Sequence, residues 1–126
     1  MRCVLDSSAV LAVLFNETGM QTVIEQGQGG LISAVNLAEV LTRSIEKNVP
    51  AALRDDVVAV MGLGVMAFDG AAAAATAELR LPTRHLGLSL ADRACLALAL
   101  QLGAPVLTGD RAWSKLAIGV DVRLIR

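Results

Sequence analysis

The stretch RCVLDSSAV, Arg2–Val10, places a short apolar run directly before an acid and two serines. Its first four residues predict a buried β-strand, and Asp6 then stands where a helix would begin. Short strand-like runs separated by longer segments with helical spacing recur at 31–33, 65–68, 106–108 and 120–125. Such alternation is typical of βαβ units and a parallel sheet. The sequence therefore predicts an α/β fold, with a central, mainly parallel sheet of four or five short strands flanked by helices.

Length and composition set broad limits on the protein. With 126 residues, 55% of them hydrophobic and 2% aromatic, we expect one domain over residues 1–126 and a core built mostly of Ala, Leu and Val. No apolar run reaches the roughly 18 residues needed to cross a membrane. The amino terminus lacks the long apolar segment of a signal peptide, so a cytoplasmic location is expected. The net charge of −1 does not by itself indicate a nucleic-acid binder.

Zinc chemistry is disfavoured, because the chain has only two cysteines and one histidine. Cys3 lies in a predicted strand and Cys95 in a predicted helix, where both fit small buried hydrophobic residues better than a disulfide framework. His85 has no evident partner and receives no catalytic role. Trp113 is interpreted as a packing residue rather than a surface on which bases stack.

Two predicted helices carry most of the apolar pattern. The helix over 34–47 has an apolar stripe that leaves Glu39 outside it and consists of Ala34, Leu37, Ala38, Leu41 and Ile45. The segment LSLADRACLALALQLG, residues 88–103, is apolar on nearly every side, and Ser89 and Asp92 match a capping box at its start. A further helix is expected after Pro50, and Asp69 is expected to cap a helix in the alanine-rich run after it.

Four acids are predicted to meet at one edge of the sheet. Asp6 and Asp110 follow apolar strands, Asp92 lies in the first turn of a helix, and Glu39 lies in a helix that follows a strand. In open parallel sheets, chemistry gathers outside the carboxyl ends of the strands. Carboxylates that converge there would destabilise the fold unless a cation neutralised them, and oxygen ligands of this kind suit Mg²⁺ or Mn²⁺. Such an ion activates water and binds phosphate oxygens, which points to a phosphodiester substrate.

Each acid also has a structural explanation. Asp6 and Asp110 could be helix N-caps, and Asp92 belongs to the predicted capping box. Glu39 could pair with Arg43 one turn further along its helix. Taken one at a time, these explanations are the commoner ones, so the metal-site hypothesis depends on the four acids acting together.

Four segments, in order, resemble the PIN domain family, and most of all the VapC ribonuclease toxins of bacterial and archaeal toxin–antitoxin pairs. They are spread from residue 4 to residue 113 and read VLDSSAVLA (4–12), ISAVNLAEVLTR (32–43), GLSLADRACLALAL (87–100) and PVLTGDRAW (105–113). The resemblance implies a Rossmann-like sheet and Mg²⁺- or Mn²⁺-dependent endonucleolytic cleavage of RNA by a metal-activated water. It also implies a VapB-like antitoxin partner and a homodimer or a higher toxin–antitoxin assembly.

The resemblance assigns the metal-binding and catalytic roles to Asp6, Glu39, Asp92 and Asp110. Thr108 matches a hydroxyl residue near the metals, although an ordinary strand residue would fit its spacing equally well. Ser7 would either assist the site or help to start its helix.

Charge does not argue against RNA once the four acids are set aside, since 11 basic residues then face 8 acidic ones. Arg43, Arg93 and Arg111 are candidate phosphate contacts, and their alternative roles are to pair with the site carboxylates or to lie in solvent. The main functional alternative is a PIN-like module without catalysis that acts by binding RNA or a partner. A phosphatase or receiver-type domain is disfavoured, because no D-x-D nucleophile motif is present.

Overall fold

A computed structural model describes residues 2–126 as a five-stranded sheet with helices packed against it. The strands are β1 Val4–Leu5, β2 Leu31–Ser33, β3 Gly64–Met66, β4 Val106–Thr108 and β5 Val122–Leu124. Their order is β3-β2-β1-β4-β5, and every neighbouring pair is parallel. The predicted α/β class is confirmed, and the arrangement is Rossmann-like. The third and fifth strands are shorter than the sequence pattern predicts.

Residues 2–126 contain seven α-helices. They are α1 Ser7–Leu14, α2 Met20–Gly27, α3 Ala34–Glu46, α4 Ala51–Val60, α5 Gly70–Glu78, α6 Arg80–Thr83 and α7 Leu90–Leu102. The 3₁₀ helix Arg84–Leu86 and the short α6 have no counterpart in the sequence prediction, whereas the 3₁₀ helix Arg111–Lys115 follows Asp110, for which an N-cap role is one of the alternatives. Of the helices described, none combines the length and the apolar character that a membrane span requires.

The strands bury side chains on both faces, as a parallel sheet requires. Val4 and Val106 pack on one face with α7 and Trp113. Leu5 and Leu107 pack on the other face, in a cluster with residues of α1 to α4. Trp113 is fully buried, which confirms its packing role. Cys3 and Cys95 are free and buried, also as predicted.

The predicted capping residues of α5 and α7 are confirmed. The side chain of Asp69 accepts a hydrogen bond from the Ala72 backbone N–H at 2.9 Å. Ser89 and Asp92 form a reciprocal capping box, in which each side chain accepts from the backbone N–H of the other residue. Because these caps satisfy backbone donors that have no partner inside the helix, they fix where each helix begins.

The apolar stripe predicted for α3 is wrong in part. Ile45 is 56% exposed, whereas Asn36 and Ser44 are fully buried together with Val40. Asn36, Val40 and Ser44 are spaced four apart and share one face of the helix. Ser44 Oγ donates to the Val40 carbonyl at 2.7 Å, so its burial leaves the hydroxyl hydrogen-bonded. The buried face of α3 is therefore set by tertiary contacts that accept polar groups.

Gly30 packs too closely against β1 to tolerate a side chain. A Cβ built at this position would lie 2.5 Å from Leu5 Cδ1 and 2.8 Å from the Cys3 carbonyl oxygen. We expect Gly30→Ala to lower the free energy of unfolding by about 1–3 kcal/mol, because the central strand would have to shift. Chemical denaturation measures this change. Gly70→Ala, where nothing lies within 4 Å of the added Cβ, is the matched control and should be neutral or stabilising.

Candidate functional site

The candidate site lies where the order of the strands reverses. β1 pairs with β2 on one side and with β4 on the other. The chain therefore extends the sheet from β1 to β2 and β3 in one direction, and to β4 and β5 in the other. Ligands in such sheets bind outside the carboxyl ends of the strands at that point. Asp6 directly follows β1, and Thr108 is the last residue of β4. These two residues mark the centre of the candidate site.

Asp6 is held by hydroxyl groups and does not cap α1. Its side chain is only 5% exposed, and it makes no capping hydrogen bond to the helix that follows. Oδ2 accepts from Ser8 Oγ at 2.6 Å and from Thr108 Oγ1 at 2.8 Å. The structural explanation by capping therefore does not account for the Asp6 carboxylate.

Burial raises the pKa of Asp6 to about 6, and the negative charge of Asp92 adds to the shift, while hydrogen bonds from Ser8, Thr108 and the Ser7 backbone oppose it. Among residues 2–126, no Lys, Arg or His side chain forms an ion pair with this carboxylate. Across residues 2–126 the ion pairs join Arg123 to Asp121 and Arg126 to Glu17. At neutral pH the fold therefore carries a buried negative charge that a bound cation would stabilise.

Glu39 reaches the site through Ser7. The Ser7 hydroxyl, on the first residue of α1, is 2.5 Å from Glu39 Oε1 and donates to it. Glu39 itself is exposed. Glu39 and Arg43 line one shallow depression on α3, but they do not form one of the two ion pairs within residues 2–126. The predicted pairing of Glu39 with Arg43 is not observed.

Asp92 is half-buried in the first turn of α7, where its carboxylate also caps the helix. Three of the four predicted acids affect the pKa of one buried group, the thiol of Cys95 on α7. Burial, and after it the negative charges of Asp6, Asp92 and Glu39, raise the pKa of the Cys95 thiol. The structure thus brings these three acids to the same region.

Asp110 differs from the other three acids. It is exposed, and its Oδ1 accepts from the Ala112 backbone N–H at 3.0 Å, which caps the 3₁₀ helix that follows. Its own backbone N–H donates to Thr108 Oγ1 at 3.0 Å. Asp110 is therefore joined to Asp6 through the Thr108 hydroxyl, and its carboxylate has the capping role that the sequence allowed.

The acids do not form a closed metal cage. Within the described part of the chain, no group of three or more Asp, Glu, His or Cys side chains is arranged so that it could hold a metal ion. Mg²⁺ commonly binds through only one or two carboxylates and keeps several waters. The buried Asp6 carboxylate has Asp92 near it and no ion pair to any side chain of the described residues, and it fits that open mode of binding.

Two residues of the site were missed by the sequence prediction. Ser8 Oγ donates to Asp6 and accepts from the Gly109 backbone N–H at 2.8 Å, so it ties β1 to the loop after β4. Asn36 Nδ2 donates to Ser7 Oγ and to the Ala91 carbonyl, both at 3.2 Å. Asn36 lies one turn before Glu39 on α3, and that spacing was the available signal.

The candidate RNA-contacting arginines lie in different settings. Arg93 Nη1 donates to the Thr76 carbonyl on α5 at 3.1 Å, while its Nε is buried without a partner among residues 2–126. Arg43 and Arg111 are exposed, and neither belongs to an ion pair within that range. The guanidinium groups of Arg43 and Arg111 are therefore more accessible to a phosphate than that of Arg93.

Comparisons with known proteins agree on the fold. The sequence profile of the PIN domain family matches residues 3–119. A toxin–antitoxin complex from Klebsiella pneumoniae is similar at 17% identity and a TM-score of 0.72, with 98% of each chain covered. DNA-bound VapBC from Salmonella typhimurium is similar at 18% identity and 0.71, with coverage of 100% of this chain and 99% of that one. VapBC-5 from Mycobacterium tuberculosis is similar at 23% identity and 0.61, with 99% and 98% covered. A search of curated protein sequences finds no match.

Proposed function

Because the chain belongs to the PIN domain family, we propose that it is a Mg²⁺- or Mn²⁺-dependent endoribonuclease and the toxin of a VapBC-type toxin–antitoxin module. The observation that carries the proposal is the buried Asp6 carboxylate, which lies at the strand-order reversal near Asp92 and has no ion-pair partner among residues 2–126. A buried unpaired charge destabilises a fold, so its presence calls for a ligand. A divalent cation is the simplest ligand that oxygen donors of this kind select.

In the proposed mechanism, one or two of the four acids, Asp6 and Asp92, would bind the metal ion directly, and Glu39 and Asp110 would act on it through its bound waters. The ion, when bound, supplies Lewis-acid chemistry that makes an attacking water more acidic and offsets charge on the phosphoryl group. Ser8 and Thr108 keep the Asp6 carboxylate in one orientation by donating to the same oxygen. Ser7 does the same for Glu39, which would otherwise move freely at the surface. The capping box keeps Asp92 in place at the start of α7.

The RNA backbone would be bound by positive charge around these acids. Arg43 lies one turn after Glu39, and Arg111 directly follows Asp110. Both are exposed, so we propose them as phosphate contacts. Arg93 donates to the Thr76 carbonyl, and its proposed part is to add positive charge beside Asp92.

The proposed partners are a VapB-like antitoxin and a second copy of the chain. The similarity to VapBC and other toxin–antitoxin structures over nearly the whole chain supports this proposal. Large apolar side chains are exposed on α3 and α4, at Ile45, Leu53 and Val60. Leu53 and Val60 line one depression with Val13 and Leu14, and contiguous exposed apolar surface is typical of a protein interaction site.

The nuclease proposal is tested with purified protein and a panel of single-stranded and folded RNAs. We expect cleavage with Mg²⁺ or Mn²⁺, none in excess EDTA, and recovery when Mg²⁺ is restored. Asp121→Asn is the matched control. Asp121 directly precedes β5 and so lies at the amino ends of the parallel strands, whereas the site lies at their carboxyl ends. This variant should cleave like the parent. Binding of RNA without cleavage in either metal would favour the non-catalytic module over the enzyme.

The toxin role has a separate test. A short reading frame beside this gene is expected to encode a small DNA-binding protein that forms a complex with the chain and suppresses cleavage. Failure of the neighbouring product to bind the chain would contradict the toxin role and leave the nuclease proposal standing.

A further inference from the structure

We propose that Asn36 is a positioning residue of the candidate site, which it organises by joining three acid-bearing elements through one buried amide. The inference rests on the proposed nuclease function and concerns a residue that contributes no metal ligand. Asn36 is fully buried in α3. Its Nδ2 donates to Ser7 Oγ on α1 and to the Ala91 carbonyl on α7.

The two acceptors of Asn36 each adjoin a site acid. Ser7 follows Asp6 in the chain and donates to Glu39 Oε1. Ala91 precedes Asp92 within the first turn of α7. Asn36 itself lies one turn from Glu39 on α3. A single amide group therefore fixes the spacing of the elements that carry Asp6, Glu39 and Asp92.

The orientation of the Asn36 amide follows from its partners. The Ala91 carbonyl only accepts hydrogen bonds, so the atom that faces it has to be the nitrogen. With that orientation, the Ser7 hydroxyl accepts from the Asn36 amide and donates its own hydrogen to the nearer of two acceptors, Glu39 Oε1 at 2.5 Å, rather than to the Asn36 backbone carbonyl at 3.2 Å. An amide turned the other way would place two acceptors against each other at Ala91. The arrangement thus sets the direction of the Ser7 hydroxyl as well as its place.

Stability alone does not explain an asparagine here. Asn36 Oδ1 is buried and has no hydrogen-bond partner among residues 2–126, and a buried unpaired acceptor is unfavourable. Val40, four residues further on the same buried face, is apolar. A polar residue that breaks the local packing rule is typical of a functional position.

The test compares Asn36→Leu with the parent by three measurements. Binding of Mn²⁺ alone is followed by the electron paramagnetic resonance signal of the free ion, RNA cleavage is resolved into kcat and KM, and thermal unfolding reports stability. We expect Mn²⁺ affinity and kcat each to fall on the order of 10–100-fold, as for residues that orient metal ligands, with KM and the melting temperature little changed. Asn36→Ser, whose hydroxyl is too short to bridge both acceptors, gives the same test if the leucine variant does not fold.

Ser44→Ala is the matched control, because Ser44 is equally buried on the same face but donates only within its own helix. It should keep the parent's Mn²⁺ affinity and kcat. A double-mutant cycle with Ser7→Ala tests the connection to Glu39, and non-additive losses are expected if Asn36 acts through Ser7. Additive losses, equal losses in Ser44→Ala, or parental Mn²⁺ affinity in the Asn36 variants would each overturn the inference.

The two proposals fail in different ways. If the parent binds Mn²⁺ but cuts no RNA, the nuclease proposal fails and Mn²⁺ affinity alone decides the role of Asn36. If the parent cuts RNA and the Asn36 variants match it in both kcat and Mn²⁺ affinity, only the inference about Asn36 fails.

Discussion

Asp6→Asn is expected to stabilise the folded protein at neutral pH and to abolish its activity. The pKa of Asp6 is raised to about 6 from an ordinary value of 3.8, so the folded state binds this proton more tightly than the unfolded chain does. The free energy of unfolding therefore falls as the pH rises from about 4 to 6 and then stays low. The difference corresponds to roughly 3 kcal/mol. Asparagine removes the charge and can still present one oxygen to Ser8 and Thr108.

Two measurements check this prediction. Urea denaturation in EDTA between pH 4 and pH 8 should show that the parent loses stability with rising pH and that the variant loses less. RNA cleavage should fall at least about 100-fold, since even residues behind metal ligands cost 10–100-fold when replaced. Asp121→Asn removes an acid whose side chain is 62% exposed and should change neither quantity. An Asp6→Asn protein less stable than the parent at pH 8 would show that the buried charge is already compensated.

Asp92→Asn is expected to lower activity strongly while leaving stability nearly unchanged. An asparagine oxygen can still accept from the Ser89 backbone N–H, so the capping box is retained and the free energy of unfolding should change by less than about 1 kcal/mol. The carboxylate is lost, and we expect cleavage to fall at least about 100-fold. Paired measurements of kcat and of urea denaturation on the same preparations check both statements.

Ser89→Ala provides the reciprocal control for Asp92. It removes the hydroxyl that accepts from the Asp92 N–H but leaves the carboxylate, so it should cost about 1 kcal/mol of stability and keep most of the activity. A loss of activity in Ser89→Ala as large as in Asp92→Asn would mean that Asp92 serves only to hold the helix.

The sequence predicted β1 and β4 well because each is a short apolar run that is closely followed by an acid. Asp6 and Asp110 indicate where β1 and β4 end, and the capping box at Ser89 and Asp92 indicates where α7 begins. Each of these signals is local, since the residues that determine it lie within four positions of one another. Local signals of this kind survive in the fold unless tertiary contacts override them.

The parts that could not be predicted depend on contacts between distant segments. The buried face of α3 is determined by α1 and α7, so spacing within the helix did not reveal that Asn36 lies inside and Ile45 outside. The same holds for the burial of Asp6, which takes Ser8 and Thr108 as partners in place of a capping role. A helix N-cap and a ligand look alike in sequence, and only the observed hydrogen bonds distinguish Asp6 from Asp110.

The hydrogen bond between Thr108 and Asp6 joins residues 102 positions apart, and this separation has a consequence for synthesis of the chain. β1 is translated first, and its neighbour β4 follows only after the segments between them have been made. Contacts between such distant segments form late, because the long intervening loop has to close first. The Asp6 carboxylate is therefore not oriented in a nascent chain. If the protein cuts RNA as proposed, a nascent chain stays inactive at least until β4 has been made and has paired with β1.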